Sequence, residues 1–160
     1  MRVLVVSDTH GKLEHLKTAM MRLGPVDLLL HLGDIEGQEH EIEKLADCPT
    51  EMIAGNNDYF SMLDKEKEFM LRGKRIWMTH GHRYLVGQTS AHIREEAASR
   101  GIDVALYGHT HKPRLIYDPH ATVACPGSLS YPRQNGRVPT CLLINIDDAG
   151  EFHFEICEIQ

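Results

Sequence analysis

Five short polar clusters punctuate the chain, and each directly follows an apolar run typical of a β-strand. Their imidazole, carboxylate and amide side chains act as metal ligands when several of them meet. An Asp-x-His or His-x-His pair directs both side chains to one point only where the chain leaves extended geometry, and neighbouring glycines permit that turn. The sequence therefore predicts a metal site where several strands end. In chain order the clusters are Asp8-Thr9-His10, Gly33-Asp34, Gly55-Asn56-Asn57-Asp58, His80-Gly81-His82 and Gly108-His109-Thr110-His111.

Each cluster alone also has a purely structural interpretation. An aspartate beside a surface histidine is common, Gly33-Asp34 is typical of a helix cap, and Gly55 to Asp58 is typical of a turn. The pair His109 and His111 is the most specific of the five signals. The occurrence of all five at strand ends favours the metal interpretation over five independent turns.

The ligand types also indicate the class of metal. Imidazole, carboxylate and amide ligands without thiolate fit Mn, Fe, Co, Ni or Zn better than a cysteine-rich structural zinc site. The candidate ligands exceed the needs of one ion, and a carboxylate can bridge two ions through its two oxygens. Two ions roughly 3.5–4 Å apart clamp the attacking and leaving oxygens in phosphoryl transfer, and a hydroxide between them is available near neutral pH. Hydrolysis of a phosphate ester is the chemistry such a pair predicts.

The elements that position these clusters alternate between strand and helix in the first part of the chain. Apolar runs predict strands at Val3–Ser7, Asp27–Leu32 and Glu51–Ala54. Apolar residues at helical spacing predict helices at Lys12–Leu23 and Glu39–Ala46. Such alternation favours parallel strands in an α/β architecture, where functional loops gather at the carboxyl ends of the strands.

Beyond Asp58 the pattern becomes rich in strands. One helix is predicted at Thr89–Ser99, and Arg72-Gly73-Lys74 is typical of a hairpin turn. The predicted strands are Glu68–Leu71, Arg75–Thr79, Asp103–Tyr107, Arg114–Tyr117, Thr122–Ala124, Thr140–Ile146 and Phe152–Ile159. The apolar segment Thr140–Ile146 fits either the core or a dimer interface, so a homo-oligomer stays open.

Composition favours one small domain that spans residues 1–160. A chain of 160 residues with 42% hydrophobic content builds one core. Its net charge of −6 argues against generic or sequence-specific nucleic-acid binding. Four widely spaced cysteines, without an export signal or an apolar span of roughly 18 residues, predict a cytoplasmic protein with reduced thiols and no membrane contact.

The order of the clusters resembles the motifs D-x-H, G-D-x-x, G-N-[H/C]-D, G-H and G-H-x-H of the calcineurin-like metallophosphoesterase superfamily. The resemblance covers essentially the whole chain and is strongest to the small single-domain prokaryotic phosphodiesterases, the YfcE-like branch. That branch also carries S-D-T-H-G and P-G-S-x-S-x-P-R, which match Ser7 to Gly11 and Pro126 to Arg133. The resemblance implies an α/β fold, a four-layer α/β/β/α sandwich of two mixed sheets flanked by helices, and a small phosphate-ester substrate.

The resemblance further implies two divalent ions held by seven residues. Manganese is the first expectation. Nickel, zinc, iron and cobalt stay open, because the availability of a metal in the cell often determines which ion is bound more than its intrinsic affinity does. Two groups of three ligands hold one ion each, and one aspartate bridges the ions. In that order the residues are Asp8, His10 and His111, then Asn56, His80 and His109, then Asp34.

Three further residues are candidates for catalysis or substrate binding. Where many family members place a proton-donating histidine after the ligand asparagine, this chain has Asn57, and an amide supplies no proton near neutral pH. General-acid assistance is therefore an open question. His82 is a candidate for contact with the substrate or leaving group, or alternatively for orienting a ligand. Arg133 is a candidate for binding a phosphate oxygen, or alternatively a surface residue of its Pro-flanked loop.

Two other functions compete with hydrolysis. The same fold serves as a protein-binding scaffold in the retromer subunit that resembles these phosphodiesterases, and that scaffold has lost part of its ligand set. Here all seven ligand positions are filled, which favours the enzyme. A histidine-rich metal buffer is the weaker alternative, because its ligands would be expected in local tracts.

Overall fold

The computed structural model describes residues 1–160 and contains ten strands and three α-helices. The helices are α1 (Glu14–Leu23), α2 (Glu39–Ala46) and α3 (Ala91–Arg100). The strands are β1 (Arg2–Val6), β2 (Leu28–His31), β3 (Thr50–Met52), β4 (Glu66–Leu71), β5 (Lys74–Thr79), β6 (Val104–Tyr107), β7 (Pro113–Tyr117), β8 (Thr122–Pro126), β9 (Thr140–Ile146) and β10 (Phe152–Glu158).

The strands form two mixed five-stranded sheets. The first has the order β10-β9-β1-β2-β3, with β1, β2 and β3 parallel and β9 antiparallel to both of its neighbours, β1 and β10. The second has the order β4-β5-β6-β8-β7, with β5, β6 and β8 parallel between antiparallel edges. Each of the five polar clusters follows one of the parallel strands β1, β2, β3, β5 and β6, so the sheets deliver all five to one region.

Alternation of side chains along each strand divides the apolar residues into three cores. Val3 and Val5 of β1 lie in the core between the two sheets, together with Met78 of β5. Leu4 and Val6, on the other face of β1, pack in the core that includes α1 and α2. A third core joins the outer face of the second sheet to α3. The layers therefore run helix, sheet, sheet, helix, and the predicted four-layer sandwich is confirmed.

The predicted helices and strands are all present, with ends that shift by one or two residues at most. The two-residue turn between β4 and β5 has positive φ at Arg72 and Gly73, as a type I′ hairpin requires. Segment β9 lies between β10 and β1 and is almost entirely buried, so it belongs to the core. The 3-10 turn at His82–Tyr84 was not predicted.

The four cysteines are free thiols. None of the helices has the length and apolar character that a membrane crossing requires.

Candidate metal centre

The loops after the parallel strands hold their polar side chains through left-handed backbone. Glycines carry part of this geometry, with positive φ at Gly33 and Gly81. Five of the candidate ligands also have positive φ, which the sequence did not predict. A non-glycine residue in this region costs about 1–3 kcal/mol and persists where the surroundings enforce it, most often at functional sites. The residues concerned are Asp8 (55°), His10 (46°), Asp34 (56°), His109 (67°) and His111 (58°).

One group of donors forms around Asp8. Ligand atoms from Asp8, His10, Asp34 and His111 all lie within 4.8 Å of one another. The Nε2 atom of His111 lies 3.1 Å from Asp8 Oδ1 and 3.3 Å from His10 Nε2. Donors this close, from four separate positions of the chain, surround a volume suited to a single ion.

A second group forms around Asn56. Its Oδ1 atom lies 3.0 Å from His80 Nε2 and 2.9 Å from His109 Nδ1. Asp34 Oδ2 lies 3.5 Å from His80 Nε2 and 3.7 Å from His10 Nε2, so this carboxylate stands between the two groups. The structure thus brings all seven predicted ligands together; their binding of ions stays a prediction.

The donor set fits divalent cations. Asp8 Oδ1 is buried and receives no hydrogen bond of acceptable geometry, an arrangement that is costly for a carboxylate unless a cation lies nearby. Three histidines fix their orientation by using Nδ1 for outer contacts, which leaves Nε2 directed inward. These contacts are His10 to Glu36 Oε1, His80 to Leu32 O and His111 to Tyr131 O, each at 2.7 Å.

The two aspartates remain ionised despite their surroundings. Burial raises the pKa of Asp8, but pairing with His111 and the charge of His80 outweigh it, and the net pKa lies below the ordinary value. Burial likewise opposes ionisation of Asp34, while His80 and Asn57 bring its pKa well below the usual range. Burial and the charge of His80 lower the pKa of His109. Burial opposes protonation of His80, but the carboxylates of Asp34 and Asp8 outweigh it and raise the pKa of His80. Metal binding requires anionic carboxylates and neutral imidazoles, so an ion at this position would displace the proton of a protonated His80.

Asp58, the last residue of its cluster, connects two of the loops through hydrogen bonds to its carboxylate. Its Oδ1 accepts hydrogen bonds from the backbone N–H groups of Ile35 (2.9 Å) and Glu36 (2.7 Å). Its Oδ2 accepts those of Asp34 (2.8 Å) and Gly55 (2.7 Å). Sequence reasoning assigned Asp58 no role, although its position at the end of the cluster was visible. It positions Asp34 through the backbone.

The segment Pro126–Arg133 is hydrogen-bonded to the backbone of the first loop. Ser128 Oγ donates to the carbonyl of Asp8 at 2.8 Å, and Ser130 Oγ donates to the carbonyl of Thr9 at 2.7 Å. The motif that carried part of the family resemblance therefore fixes backbone beside Asp8. The serines of this motif are visible in the sequence, but the sequence does not show which backbone groups they contact.

His31 is a further residue that sequence reasoning missed. It is fully buried at the end of β2, and burial lowers its pKa to about 4, so it is neutral at physiological pH. Its Nδ1 accepts the N–H of Gly33 at 3.2 Å, and its Nε2 lies 3.0 Å from Thr9 Oγ1. It links the first two loops beneath the candidate ligands.

The three candidates for catalysis or substrate binding lie near the seven ligands. Asn57 donates from Nδ2 to Asp34 Oδ2 at 2.7 Å and from its backbone N–H to Asp34 Oδ1 at 2.9 Å. His82 lies with its ring 5.6 Å from that of His80, and its buried Nδ1 has no hydrogen-bond partner. Arg133 lines a cleft of about 570 Å³ that also includes His109. All three are near the site, and their roles stay predictions.

Gly108 provides a test of the packing behind the site. A Cβ at this position would overlap Ser7 Oγ and approach Asp8 Oδ2 to 3.0 Å. We expect Gly108→Ala to lower the free energy of unfolding by about 1–3 kcal/mol, as overpacking does, and to weaken manganese binding. Gly87→Ala, where the added Cβ meets nothing within 4 Å, is the matched control for stability. Urea denaturation and metal titration measure both effects; equal stability of the two variants would contradict the packing argument.

Comparison with known proteins identifies the family of this chain. The model of the calcineurin-like phosphoesterase superfamily domain matches residues 1–149. The protein belongs to this superfamily, as its motifs indicated. The probable metallophosphoesterase YsnB of Bacillus subtilis strain 168 is 31% identical over 155 residues, which cover 96% of this chain and 90% of that protein.

Solved structures show the same fold. A predicted phosphoesterase from Streptococcus pneumoniae TIGR4 has a TM-score of 0.82 at 26% identity and covers 98% of this chain and 88% of its own. Vps29 from Entamoeba histolytica, complexed with zinc, has a TM-score of 0.79 at 19% identity over the full length of both chains. A novel archaeal phosphodiesterase has a TM-score of 0.71 at 22% identity, covering 98% of this chain and 100% of its own. At these identities the last two likenesses concern the fold alone.

Proposed function

We propose that this protein is a phosphodiesterase that uses two divalent ions, with manganese as the first candidate. The observation that carries the proposal is the convergence of seven donors in two groups that share Asp34, next to the unsatisfied buried oxygen of Asp8. Membership of the phosphoesterase superfamily supports the same reaction class. Asp8, His10 and His111 would hold one ion, Asn56, His80 and His109 the other, and Asp34 both.

The ligands set up the reaction by position and charge. When bound, a pair of divalent ions lowers the pKa of a water molecule and neutralises phosphate charge. The chain holds Asp34 for this role from two sides, through the amide of Asn57 and through the backbone contact to Asp58. The outer contacts of His10, His80 and His111 keep each ring in one orientation, which limits reorganisation during the reaction.

His82 is the proposed contact for the substrate. Its ring lies within 6.0 Å of the His80 and His109 ring centres, and its Nδ1 is buried without a partner. The residue as a whole is only partly buried, so the accessible edge of the ring, rather than Nδ1, would contact a phosphate or leaving-group oxygen. Arg133, in the cleft beside His109, would bind a phosphate oxygen through its guanidinium.

The reaction is tested with bis(p-nitrophenyl) phosphate. Protein freed of metal by chelation is expected to be inactive and to regain hydrolysis on addition of Mn²⁺, with Ni²⁺, Zn²⁺, Fe²⁺ and Co²⁺ assayed in parallel. Protein never exposed to chelator is the control for damage. Stoichiometric manganese binding without hydrolysis of any phosphodiester would overturn the proposal and favour the scaffold alternative.

The scaffold alternative has one structural observation in its favour. Tyr59, Phe60 and Met62 are 80%, 99% and 98% exposed and follow Asn57 and Asp58 directly. Such side chains suit a protein interface, and the fold is shared with Vps29. Completeness of the ligand set argues for hydrolysis, and the assay above separates the two functions.

The amide at Asn57 leads to a prediction about which leaving groups react fastest. Its amide is engaged with Asp34 and provides no proton, so substrates with good leaving groups are expected to react fastest. We expect Asn57→His to narrow the difference in kcat/KM between aryl and alkyl phosphodiesters by about 10²-fold, the lower end of the range typical of general-acid catalysis. Asn57→Ala, which also removes the amide but adds no acid, is the matched control. An unchanged substrate ranking in Asn57→His would refute the interpretation.

A further inference from the structure

The cleft beside His109 is cationic in a protein whose net charge is −6. Three basic side chains line it, those of Lys112, Arg114 and Arg133, and no aspartate or glutamate does. None of these three forms an ion pair, so no carboxylate neutralises them, in contrast to Arg100, which pairs with Glu66, Glu68 and Glu96. Three cations that no carboxylate neutralises give this cleft a local positive potential.

A strand and two backbone hydrogen bonds fix the backbone at these cations. Arg114 lies on β7 opposite Cys125 of β8. The backbone N–H of Arg133 donates to the carbonyl of His111 at 2.9 Å, and that of Lys112 donates to Thr110 Oγ1 at 3.3 Å. The cleft is therefore tied to the candidate ligand loop His109–His111 at two points. With a volume of about 570 Å³, it has the size of a ligand pocket.

The cleft next to Asn57 has the opposite character. It measures about 530 Å³ and is lined by Glu36, Glu39 and Asp58 together with the aromatic rings of Tyr59 and Phe60. No lysine or arginine lines it. A substrate that reaches from the metal centre into both clefts would meet cations on one side and carboxylates on the other, so an anionic substituent is favoured in the first cleft only.

We propose that the cleft beside His109 is a subsite for a second phosphate group of the substrate. The substrate is then a phosphodiester that bears a further phosphate on one of its two alcohol components. Guanidinium groups bind phosphate through paired N–H donors, and Arg114, with the ammonium group of Lys112 in the same cleft, would bind the second phosphate, while Arg133 keeps its proposed role at the reacting phosphate. This inference rests on the proposed phosphodiesterase function, and it names the substrate class for that site.

Two chromogenic probes that differ by one phosphate test the subsite. They are the p-nitrophenyl ester of thymidine 5′-phosphate and the same ester carrying a 3′-phosphate. With the manganese-loaded protein we expect kcat/KM to be about tenfold or more higher for the bisphosphate, and the advantage to shrink as salt rises. Equal kcat/KM for the two probes would overturn the proposal.

Substitution of the cations locates the effect. We expect the double variant Lys112→Gln/Arg114→Gln to bring the ratio of the two kcat/KM values close to one. We expect Arg133→Gln to lower kcat/KM for both probes. Arg137→Gln removes an exposed cation outside the cleft and is the matched control; its ratio is expected to equal that of the unmodified protein. A ratio that survives in the double variant would place the second phosphate elsewhere and refute the assignment.

A binding measurement separates this inference from the proposed function. Calorimetric titration with thymidine 3′,5′-bisphosphate and with thymidine 5′-phosphate requires no turnover. Tighter binding of the bisphosphate, lost in the double variant, supports the subsite even where no diester is hydrolysed, in which case only the phosphodiesterase proposal fails. Equal affinity for the two nucleotides, with hydrolysis intact, overturns the subsite alone.

Discussion

Asp34→Ala is expected to lower hydrolysis of bis(p-nitrophenyl) phosphate by about 10³-fold or more, a loss typical of removing an essential electrostatic element of an active site. The carboxylate stands 3.7 Å from His10 Nε2 and 3.5 Å from His80 Nε2, so each donor group loses a shared ligand. Asn57 loses both of its hydrogen-bond acceptors at the same time. We therefore expect fewer bound ions as well as a lower rate.

Elemental analysis of the purified variant, compared with the unmodified chain, measures the loss of metal. The fold is expected to persist, because the Asp34 backbone N–H keeps its bond to Asp58, and circular dichroism checks this. Asp148→Ala removes an exposed aspartate from the β9–β10 turn and is expected to change neither metal content nor rate. Full activity in Asp34→Ala would remove the bridge from the mechanism.

The local parts of this site were predictable from sequence because they depend on neighbours in the chain. Val3 to Val6 form a buried strand, and the polar residues that follow are placed at its carboxyl end by connectivity alone. The same holds for His80 after β5 and His109 after β6. Parallel pairing then gathers these ends, and this rule requires only the alternation of strand and helix.

The remaining features depend on contacts between distant residues. Asp58 is typical of a turn residue in sequence, yet it receives N–H groups from a loop more than twenty residues earlier. The cationic cleft assembles Lys112 and Arg114 with Arg133 from a separate loop, and no local spacing marks that grouping. The positive φ of His10 and His111 likewise follows from the convergence itself, because histidine adopts positive φ only in a minority of cases even though it does so more often than most residues.

Asp58→Ala is expected to lower the free energy of unfolding by about 3 kcal/mol, a large loss for a partly buried side chain. Four backbone N–H groups lose a charged acceptor, and hydrogen bonds to charged groups contribute more than neutral ones. Water replaces some of these bonds because the side chain is not fully buried, which keeps the loss below the sum of four. Urea denaturation of the metal-free protein measures the change without a contribution from bound ions.

The isosteric variant Asp58→Asn separates charge from shape. Its carbonyl oxygen retains two of the four N–H donors, while its NH₂ group opposes the other two, so its stability should lie between that of Asp58→Ala and the unmodified chain. Asp64→Ala, an exposed aspartate whose side chain makes no hydrogen bond, is the matched control and should stay within about 0.5 kcal/mol of the unmodified chain. Both Asp58 variants should also bind manganese more weakly, because the loops that present Asp34 and Asn56 are no longer held together. Unchanged stability and metal affinity in Asp58→Ala would show that the two loops keep their positions without this carboxylate, and the ligand geometry would then have to be enforced by the strands alone.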